Sequence, residues 1–340
     1  MMLVSMALMT GAMLATALLP TATAISPAAG WLLILLRCVM GFSVGGEYTG
    51  VVAYLLEGAP PGRRGLVTSC ASAASEVGGL LAAGMSALTV SSLAGPSLDS
   101  WGWRLPFLFG AALAGSVWLA RSTMEESPEF ERQRAERTVP PNPLGHALRH
   151  HRAAIARGFA ISALGSITYY VGITYVPAFL TNTRTMGEGA ALWLSTAAAG
   201  VVIAVTPLVG MVSDRLGRKP VLLLLCGCAM LLPITAFALM AGGTPARALA
   251  GALVLAALGG GVSAVGAVAT AEQFPGEGRL SGLALGATAA TAIFGGLAPY
   301  AAQVTIERTG SYLVPGAMIA IVALGVLPVL FAMPETRTPT

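Results

Sequence analysis

The chain has 340 residues, of which 55% are hydrophobic and only 10% are charged, whereas a soluble domain carries about 25% charged residues. Its formal net charge is +4, but no basic cluster lies beside aromatic platforms, which argues against nucleic-acid binding. No Ser-His-Asp or zinc-ligand arrangement is visible, so an enzyme is not expected. Uninterrupted apolar stretches of about 20 residues recur, and each can cross a bilayer as a helix. The composition therefore predicts an all-α membrane protein.

Ten membrane spans are predicted from these apolar stretches. They lie at 2–20, 30–57, 66–92, 105–121, 156–181, 189–212, 220–241, 246–272, 280–306 and 312–333. A long polar segment separates the first four spans from the last six. We therefore predict a four-span half at 1–121, a cytoplasmic linker at 122–155 and a six-span half at 156–340.

The placement of lysine and arginine predicts the orientation of these spans. With Met1 in the cytoplasm, 14 of the 19 basic residues fall in cytoplasmic segments and 4 fall in outer loops. The positive-inside rule favours this arrangement. The sequence thus predicts a multi-pass protein of the cytoplasmic membrane, with both termini in the cytoplasm.

An internal repeat relates two distant parts of the chain. Glu57 and Arg64 recur as Glu272 and Arg279, at an offset of 215 positions and with the same internal spacing. The same offset would place the mate of the loop at 210–219 at the very start of the chain. The pattern predicts a two-fold repeated helical bundle in which the start of the first repeat is absent.

The loop GMVSDRLGRKP, which joins two predicted spans, has the pattern G-x3-D-R-x-G-R-[KR]. It contains Gly210, Asp214, Arg215, Gly217 and Arg218. Gly210 permits a close helix approach, and Asp214 can accept hydrogen bonds from N–H groups at a helix N-terminus, where negative charge is favoured. The two arginines can pair with carboxylates. The alternative is a basic cytoplasmic turn with no such role.

This loop resembles the conserved cytoplasmic loop of the major facilitator superfamily. The strings GFSVGGEYTG at 41–50 and TYYVGITYVPAFL at 168–180 are similar to osmoprotectant transporters of its metabolite:proton symporter branch. The resemblance implies the major facilitator fold, with ten visible transmembrane helices of an expected twelve. It also implies uptake of a proline- or betaine-like osmolyte with a proton by alternating access. Separately, we expect a monomer without cofactor or metal.

Two alternatives remain open at this stage. Dicarboxylate and tricarboxylate carriers share many of the same motifs, so the substrate could be 2-oxoglutarate or citrate. A truncated remnant that does not transport is the second alternative. Whether the substrate is an osmolyte or a carboxylate, the resemblance implies a gate that closes the cytoplasmic side of the transporter. The residues expected at this gate are Glu57, Arg64, Gly210, Asp214, Arg215, Gly217, Arg218, Glu272 and Arg279.

Three charged residues, Arg37, Glu47 and Glu76, fall within predicted spans. Each charge would cost roughly 2.5–3.5 kcal/mol at the bilayer centre, so each must face a cavity or a partner. Glu47 and Glu76 each lie about 15 Å from the cytoplasmic face, at 1.5 Å per helical residue. We hypothesise that one of them holds the transported proton and that Arg37 modulates its release. The alternative is that Arg37 and Glu47 are structural polar groups between helices.

Aromatic residues crowd the first span of the second half. Tyr169, Tyr170 and Tyr175 lie there, and a tyrosine ring can stack over a quaternary ammonium group for about 0.5–2 kcal/mol. Together with Arg37, Glu47 and Glu76, they form the predicted site for proton and substrate. The alternative for any one tyrosine is packing or a position at the membrane interface.

Overall fold

The computed structural model describes residues 2–44, 47–60, 62–122, 143–274 and 279–337. Within these ranges the regular secondary structure is entirely helical. The predicted all-α class is therefore confirmed. The described helices, numbered here in chain order, are α1 (Met2–Ala17), α2 (Ala22–Ile25), α3 (Ala28–Val44), α4 (Glu47–Gly58), α5 (Arg64–Ser92), α6 (Gly95–Ser100), α7 (Leu105–Ser122), α8 (Pro143–His150), α9 (Arg152–Tyr169), α10 (Val176–Asn182), α11 (Glu188–Leu216), α12 (Arg218–Ala241), α13 (Pro245–Glu272), α14 (Arg279–Thr291), α15 (Ala298–Thr309) and α16 (Val314–Ala332).

By length and composition, seven helices of the described chain can cross a membrane, or eight if one bent pair counts as a single span. Two shorter apolar helices, Val4–Ala17 and Ala28–Ser43, occupy the predicted first and second spans. The predicted span at 30–57 is divided between α3 and α4. The total of ten spans therefore stays a prediction.

The bent pair joins α9 to α10 through a π-helical segment, Tyr170–Thr174. In this segment the Tyr175 N–H donates to the Tyr170 carbonyl oxygen, five residues back, at 2.9 Å. Pro177 lies in the first turn of α10, where a missing N–H is tolerated. The two helices are bent by 42°. A second π-helical segment, Ala292–Leu297, joins α14 to α15.

Packing divides the chain into two units. The first unit comprises 1–49 and 84–140, and in its described part α1 packs against α3 and α7. The Arg104 guanidinium donates to the Leu19 carbonyl oxygen at 3.0 Å. The Arg37 guanidinium lies 5.3 Å from the centroid of the Phe107 ring, which is within cation–π range.

The second unit comprises 50–83 and 141–340. Its central helix is α13, which packs against α9, α11 and α12. Phe179 and Phe237 are fully buried in the surrounding apolar core. Gly260 permits close packing, because a Cβ atom there would lie 3.1 Å from the Thr206 hydroxyl oxygen. Part of the predicted linker at 122–155 lies outside the described residues, and the proposed boundaries of the halves stay predictions.

Candidate functional site

The helices α5 and α11 of the second unit cross where two glycines face each other. A Cβ atom on Gly65 would lie 2.6 Å from the Gly210 carbonyl oxygen, and one on Gly210 would lie 2.7 Å from the Gly65 carbonyl oxygen. Only glycine permits this approach, because real Cβ atoms do not come so close to backbone atoms. The crossing places the start of α5 beside the C-terminal turn of α11.

Asp214 on this C-terminal turn accepts two hydrogen bonds from the start of α5. The backbone N–H groups of Gly65 and Leu66 donate to its two carboxylate oxygens at 2.7 and 2.8 Å. The first N–H groups of a helix have no partner within the helix, and the positive end of the helix dipole favours an anion. The predicted contact of Asp214 with a helix N-terminus is therefore observed, and the helix is α5.

Arg218 connects Asp214 to a second carboxylate. Its guanidinium donates to Asp214 at 2.8 Å, to the Ser213 hydroxyl at 3.0 Å and to Glu272 at 3.3 Å. Arg218 is 2% exposed, so these charges are held away from water. Gly217 has a φ of 104°, a left-handed backbone angle that lets the chain turn sharply from α11 into α12.

The tail that follows α16 adds a carboxylate that sequence reasoning missed. Glu335 accepts hydrogen bonds from the backbone N–H groups of Arg218 at 2.8 Å and Lys219 at 3.0 Å, at the start of α12. Its partial burial opposes ionisation, but these two donors and the N–H groups of Thr336 and Arg337 outweigh burial and lower its pKa. An acidic residue soon after the last predicted span, on the same predicted side as the loop, was the available signal.

Two further contacts bind this tail to the same cluster. The Thr336 hydroxyl donates to the Glu272 carboxylate at 2.6 Å. The Arg337 guanidinium donates to the Arg215 carbonyl oxygen at 2.7 Å. Glu272 therefore accepts hydrogen bonds from both the tail and Arg218. The tail and the loop between α11 and α12 thus form one polar cluster.

We expect Glu335→Gln to reduce the pH dependence of stability. The folded-state pKa of Glu335 lies below its ordinary value of 4.5, so its contribution is present above that value and is lost as pH falls through the folded pKa. Because Glu335 is exposed, the effect is about 0.3–1 kcal/mol. Thermal unfolding in detergent from pH 7 to pH 3 measures it. Asp99→Asn, which removes another exposed carboxylate, is the control, and an equal effect of both variants would contradict this assignment.

The other predicted gate residues have varied positions. Glu57 lies exposed near the end of α4. Arg64 begins α5, and its Nε atom is buried without a hydrogen-bond partner among the described residues. Arg215 contributes its carbonyl oxygen, and its side chain is exposed. Arg279 begins α14, but its side chain lies outside the described part of the structure. The structure thus places Gly210, Asp214, Gly217, Arg218 and Glu272 in one cluster.

A buried carboxyl group lies deeper in the second unit. Glu76 on α5 is 8% exposed, and the Tyr169 side chain lies near enough to interact with its carboxylate. Glu76 lies 12 residues beyond Arg64, or about 18 Å along the helix. Tyr169 also packs edge-on against Tyr170, with ring centroids 5.3 Å apart. The predicted residues Glu76, Tyr169 and Tyr170 therefore lie together.

The two π-helical segments contact each other beside Tyr169 and Tyr170. A Cβ atom on Gly295 would lie 2.7 Å from a ring carbon of Tyr170, so glycine is required for the ring to pack there. The hydroxyl groups of Ser166 and Thr291 form a hydrogen bond at 2.9 Å one turn away. Because π-helical segments occur frequently at functional sites, this contact adds Gly295 to the candidate site.

Three predicted site residues remain, Tyr175, Arg37 and Glu47. The Tyr175 hydroxyl donates to Gln303 at 2.5 Å in a separate pocket. Arg37 lies in the first unit beside Phe107. Glu47 begins α4, but its side chain lies outside the described part of the structure.

Comparison with known proteins identifies the class to which this fold belongs. A family model described as Major Facilitator Superfamily matches residues 1–242. The Ectoine/proline transporter ProP of Corynebacterium glutamicum is 31% identical, over 99% of this chain and 70% of that protein. The Alpha-ketoglutarate permease of Escherichia coli is 33% identical, over 88% of this chain and 69% of that protein.

A solved structure shows the same fold. A partially occluded, inward-open structure of the xylose transporter XylE from E. coli aligns with a TM-score of 0.75 at 21% identity, covering 100% of this chain and 81% of that chain. The helical fold and these matches define a multi-pass membrane transporter rather than an enzyme. The chain belongs to the Major Facilitator Superfamily. The resemblance noted in the sequence and the major facilitator fold it implied are both confirmed.

Proposed function

We propose that this protein is a proton-coupled symporter that takes up a small zwitterionic osmolyte, such as proline or a betaine. The observation that carries the proposal is the buried carboxyl group of Glu76 beside Tyr169. An ionisable residue inside a membrane span is expensive and is retained for function, most often along a proton or substrate path. The related Ectoine/proline transporter supports the same class of substrate.

Glu76 is assigned as the proton carrier in this mechanism. When it is protonated, Glu76 is neutral, and a neutral side chain suits its buried position on α5. Deprotonated, its carboxylate would accept a hydrogen bond from the Tyr169 hydroxyl. A movement that brings the tyrosine to Glu76 or takes it away changes the affinity for the proton, which couples proton release to conformation. Glu47 and Arg37 remain the other candidates that the sequence offers for this step.

The tyrosines beside Glu76 would bind the cationic end of the substrate. Tyr169 and Tyr170 present rings at nearly a right angle, with an interplanar angle of 76°. Two such rings suit a quaternary or secondary ammonium group, at about 0.5–2 kcal/mol for each cation–π contact. The substrate carboxylate would then lie away from Glu76 while that residue is ionised.

The polar cluster around Asp214 and Arg218 is assigned as the cytoplasmic gate. It holds the start of α5 against the end of α11, and this contact must open when substrate leaves on that side. Glu272 belongs to it through its bond with Arg218, and Glu57, Arg64, Arg215 and Arg279 are proposed as further members. The protein would act as a monomer in the cytoplasmic membrane, with both termini in the cytoplasm.

A second candidate substrate is a dicarboxylate or tricarboxylate. The related Alpha-ketoglutarate permease favours it. Arg37, whose side chain is exposed and lies over Phe107, would then bind a substrate carboxylate with its planar guanidinium. The two candidates differ in charge, so a competition experiment separates them.

We expect unlabelled proline and glycine betaine to suppress uptake of labelled glycine betaine into proteoliposomes, because the two compounds would share the aromatic site. Equal concentrations of 2-oxoglutarate or citrate should leave that uptake unchanged. Liposomes without protein are the control. Uptake of labelled 2-oxoglutarate together with no uptake of glycine betaine would overturn the osmolyte assignment and favour the carboxylate candidate.

A further inference from the structure

A pocket apart from the Glu76 site lies in the second unit between α10 and α15. It has a volume of about 220 Å³, the share of roughly seven liquid water molecules at about 30 Å³ each. This is the size of a small metabolite. The loops at its rim, 183–187 and 310–313, are both predicted to face the outside of the cell.

The polar side of this pocket is organised by Gln303. Its carbonyl oxygen accepts hydrogen bonds from the Tyr175 hydroxyl at 2.5 Å and from the Asn182 amide at 3.1 Å. Its own amide nitrogen donates to the Glu307 carboxylate at 2.8 Å. Because the two donors fix the orientation of the Gln303 amide, they also fix the position of the Glu307 carboxylate at the rim.

The other side of the pocket is aromatic. Tyr175 and Phe179 are 6% and 1% exposed, so they form a fixed wall. Tyr312 stands edge-on to Phe179, with ring centroids 6.3 Å apart, and is 45% exposed. The described residues that line the pocket include one carboxylate, Glu307, and no lysine or arginine. Aromatic rings beside a single negative charge suit an alkylammonium cation.

We propose that this pocket is an outer entry site that binds the alkylammonium end of the substrate before it reaches Glu76 and Tyr169. The proposal rests on the osmolyte function proposed above. Tyr175 lies six residues beyond Tyr169 on the broken helix, a distance of about 9 Å along a helix. The pocket and the buried carboxyl group are therefore served by one broken helix, which carries Tyr175 at the pocket and Tyr169 beside Glu76.

The experiment measures binding of tetramethylammonium to the purified full-length chain by equilibrium dialysis. Glu307→Gln should raise the Kd about two- to fivefold, as expected for loss of an exposed charge. Tyr312→Ala should raise it about two- to tenfold through the lost cation–π contact. Glu188→Gln and Tyr300→Ala are the matched controls, since these exposed residues do not line the pocket. If each pocket variant has the same Kd as its control, the proposal is overturned.

Uptake assays separate this proposal from the function on which it rests. With Glu307→Gln, the KM for glycine betaine should rise about two- to fivefold while kcat is kept, because only the entry site is weakened. If Glu307→Gln takes up betaine with an unchanged KM and binds tetramethylammonium with an unchanged Kd, the entry site alone is overturned. Tetramethylammonium binding that follows the variants, in a protein that takes up no betaine, would support the pocket and overturn the transport function.

Discussion

Glu76→Gln is expected to abolish the accumulation of glycine betaine driven by a pH gradient, while betaine exchange across the membrane continues. One pH unit is worth about 1.36 kcal/mol, so a symporter that moves one proton can sustain about tenfold accumulation for each unit. Glutamine retains the size and hydrogen-bonding capacity of Glu76 but cannot release a proton. The variant should therefore equilibrate betaine without concentrating it, which labelled uptake and counterflow in proteoliposomes would measure.

Three further variants make this test specific. Tyr169→Phe keeps the ring and removes the hydroxyl proposed to bond the ionised Glu76, so it should shift the pH dependence of uptake without abolishing accumulation. Glu47→Gln tests the other carboxyl group that the sequence placed at similar depth. Glu188→Gln, at an exposed carboxylate, is the control. Full gradient-driven accumulation by both Glu76→Gln and Glu47→Gln would exclude these two residues as the proton carrier.

Asp214→Ala should have the largest effect on stability and on the cytoplasmic gate. The substitution leaves Arg218 without its nearer carboxylate and removes the acceptor for two N–H groups of α5. Removing one partner of a buried ion pair destabilises a protein by about 3–5 kcal/mol. We therefore expect a lower unfolding temperature in detergent and faster tryptic cleavage after Arg218, which is 2% exposed in the closed cluster.

Glu188→Gln is the control, because its carboxylate is exposed and has no part in the gate. The close contact between Gly65 and Gly210 offers a second substitution that should open the gate. Gly210→Ala should also open the cluster, since its Cβ would meet the Gly65 carbonyl oxygen. Gly200→Ala on the same helix meets no atom within 4 Å and should be neutral. A gate that stays closed and stable in both Asp214→Ala and Gly210→Ala would contradict the assignment.

The sequence was most informative where spacing along one helix or loop decides the chemistry. The uninterrupted apolar stretches predicted the helices, and the loop pattern indicated that Asp214 can accept hydrogen bonds at a helix N-terminus. Such features depend on neighbouring residues, so they are visible in a single sequence. The depth of Glu76 could likewise be counted along its own helix, which placed it in the interior before its partner was known.

Contacts between distant segments could not be predicted in this way. Glu335 lies 117 residues from Arg218, and no local pattern specifies that the tail reaches the start of α12. Likewise, the sequence grouped Tyr175 with Tyr169, but the π-helical segment and the 42° bend between them separate their side chains. Gln303 and Glu307 escaped notice because their role depends on the tyrosine and asparagine that α10 brings to them.

Coupling of betaine uptake to proton entry is tested most directly by one measurement on the wild-type protein. Proteoliposomes with an alkaline interior receive labelled glycine betaine, and the accumulated label is followed before and after a protonophore is added. We expect betaine to rise above its external concentration and to fall back when the protonophore collapses the gradient. Betaine accumulation that does not change when the protonophore is added, or no uptake at all, would contradict the proposal.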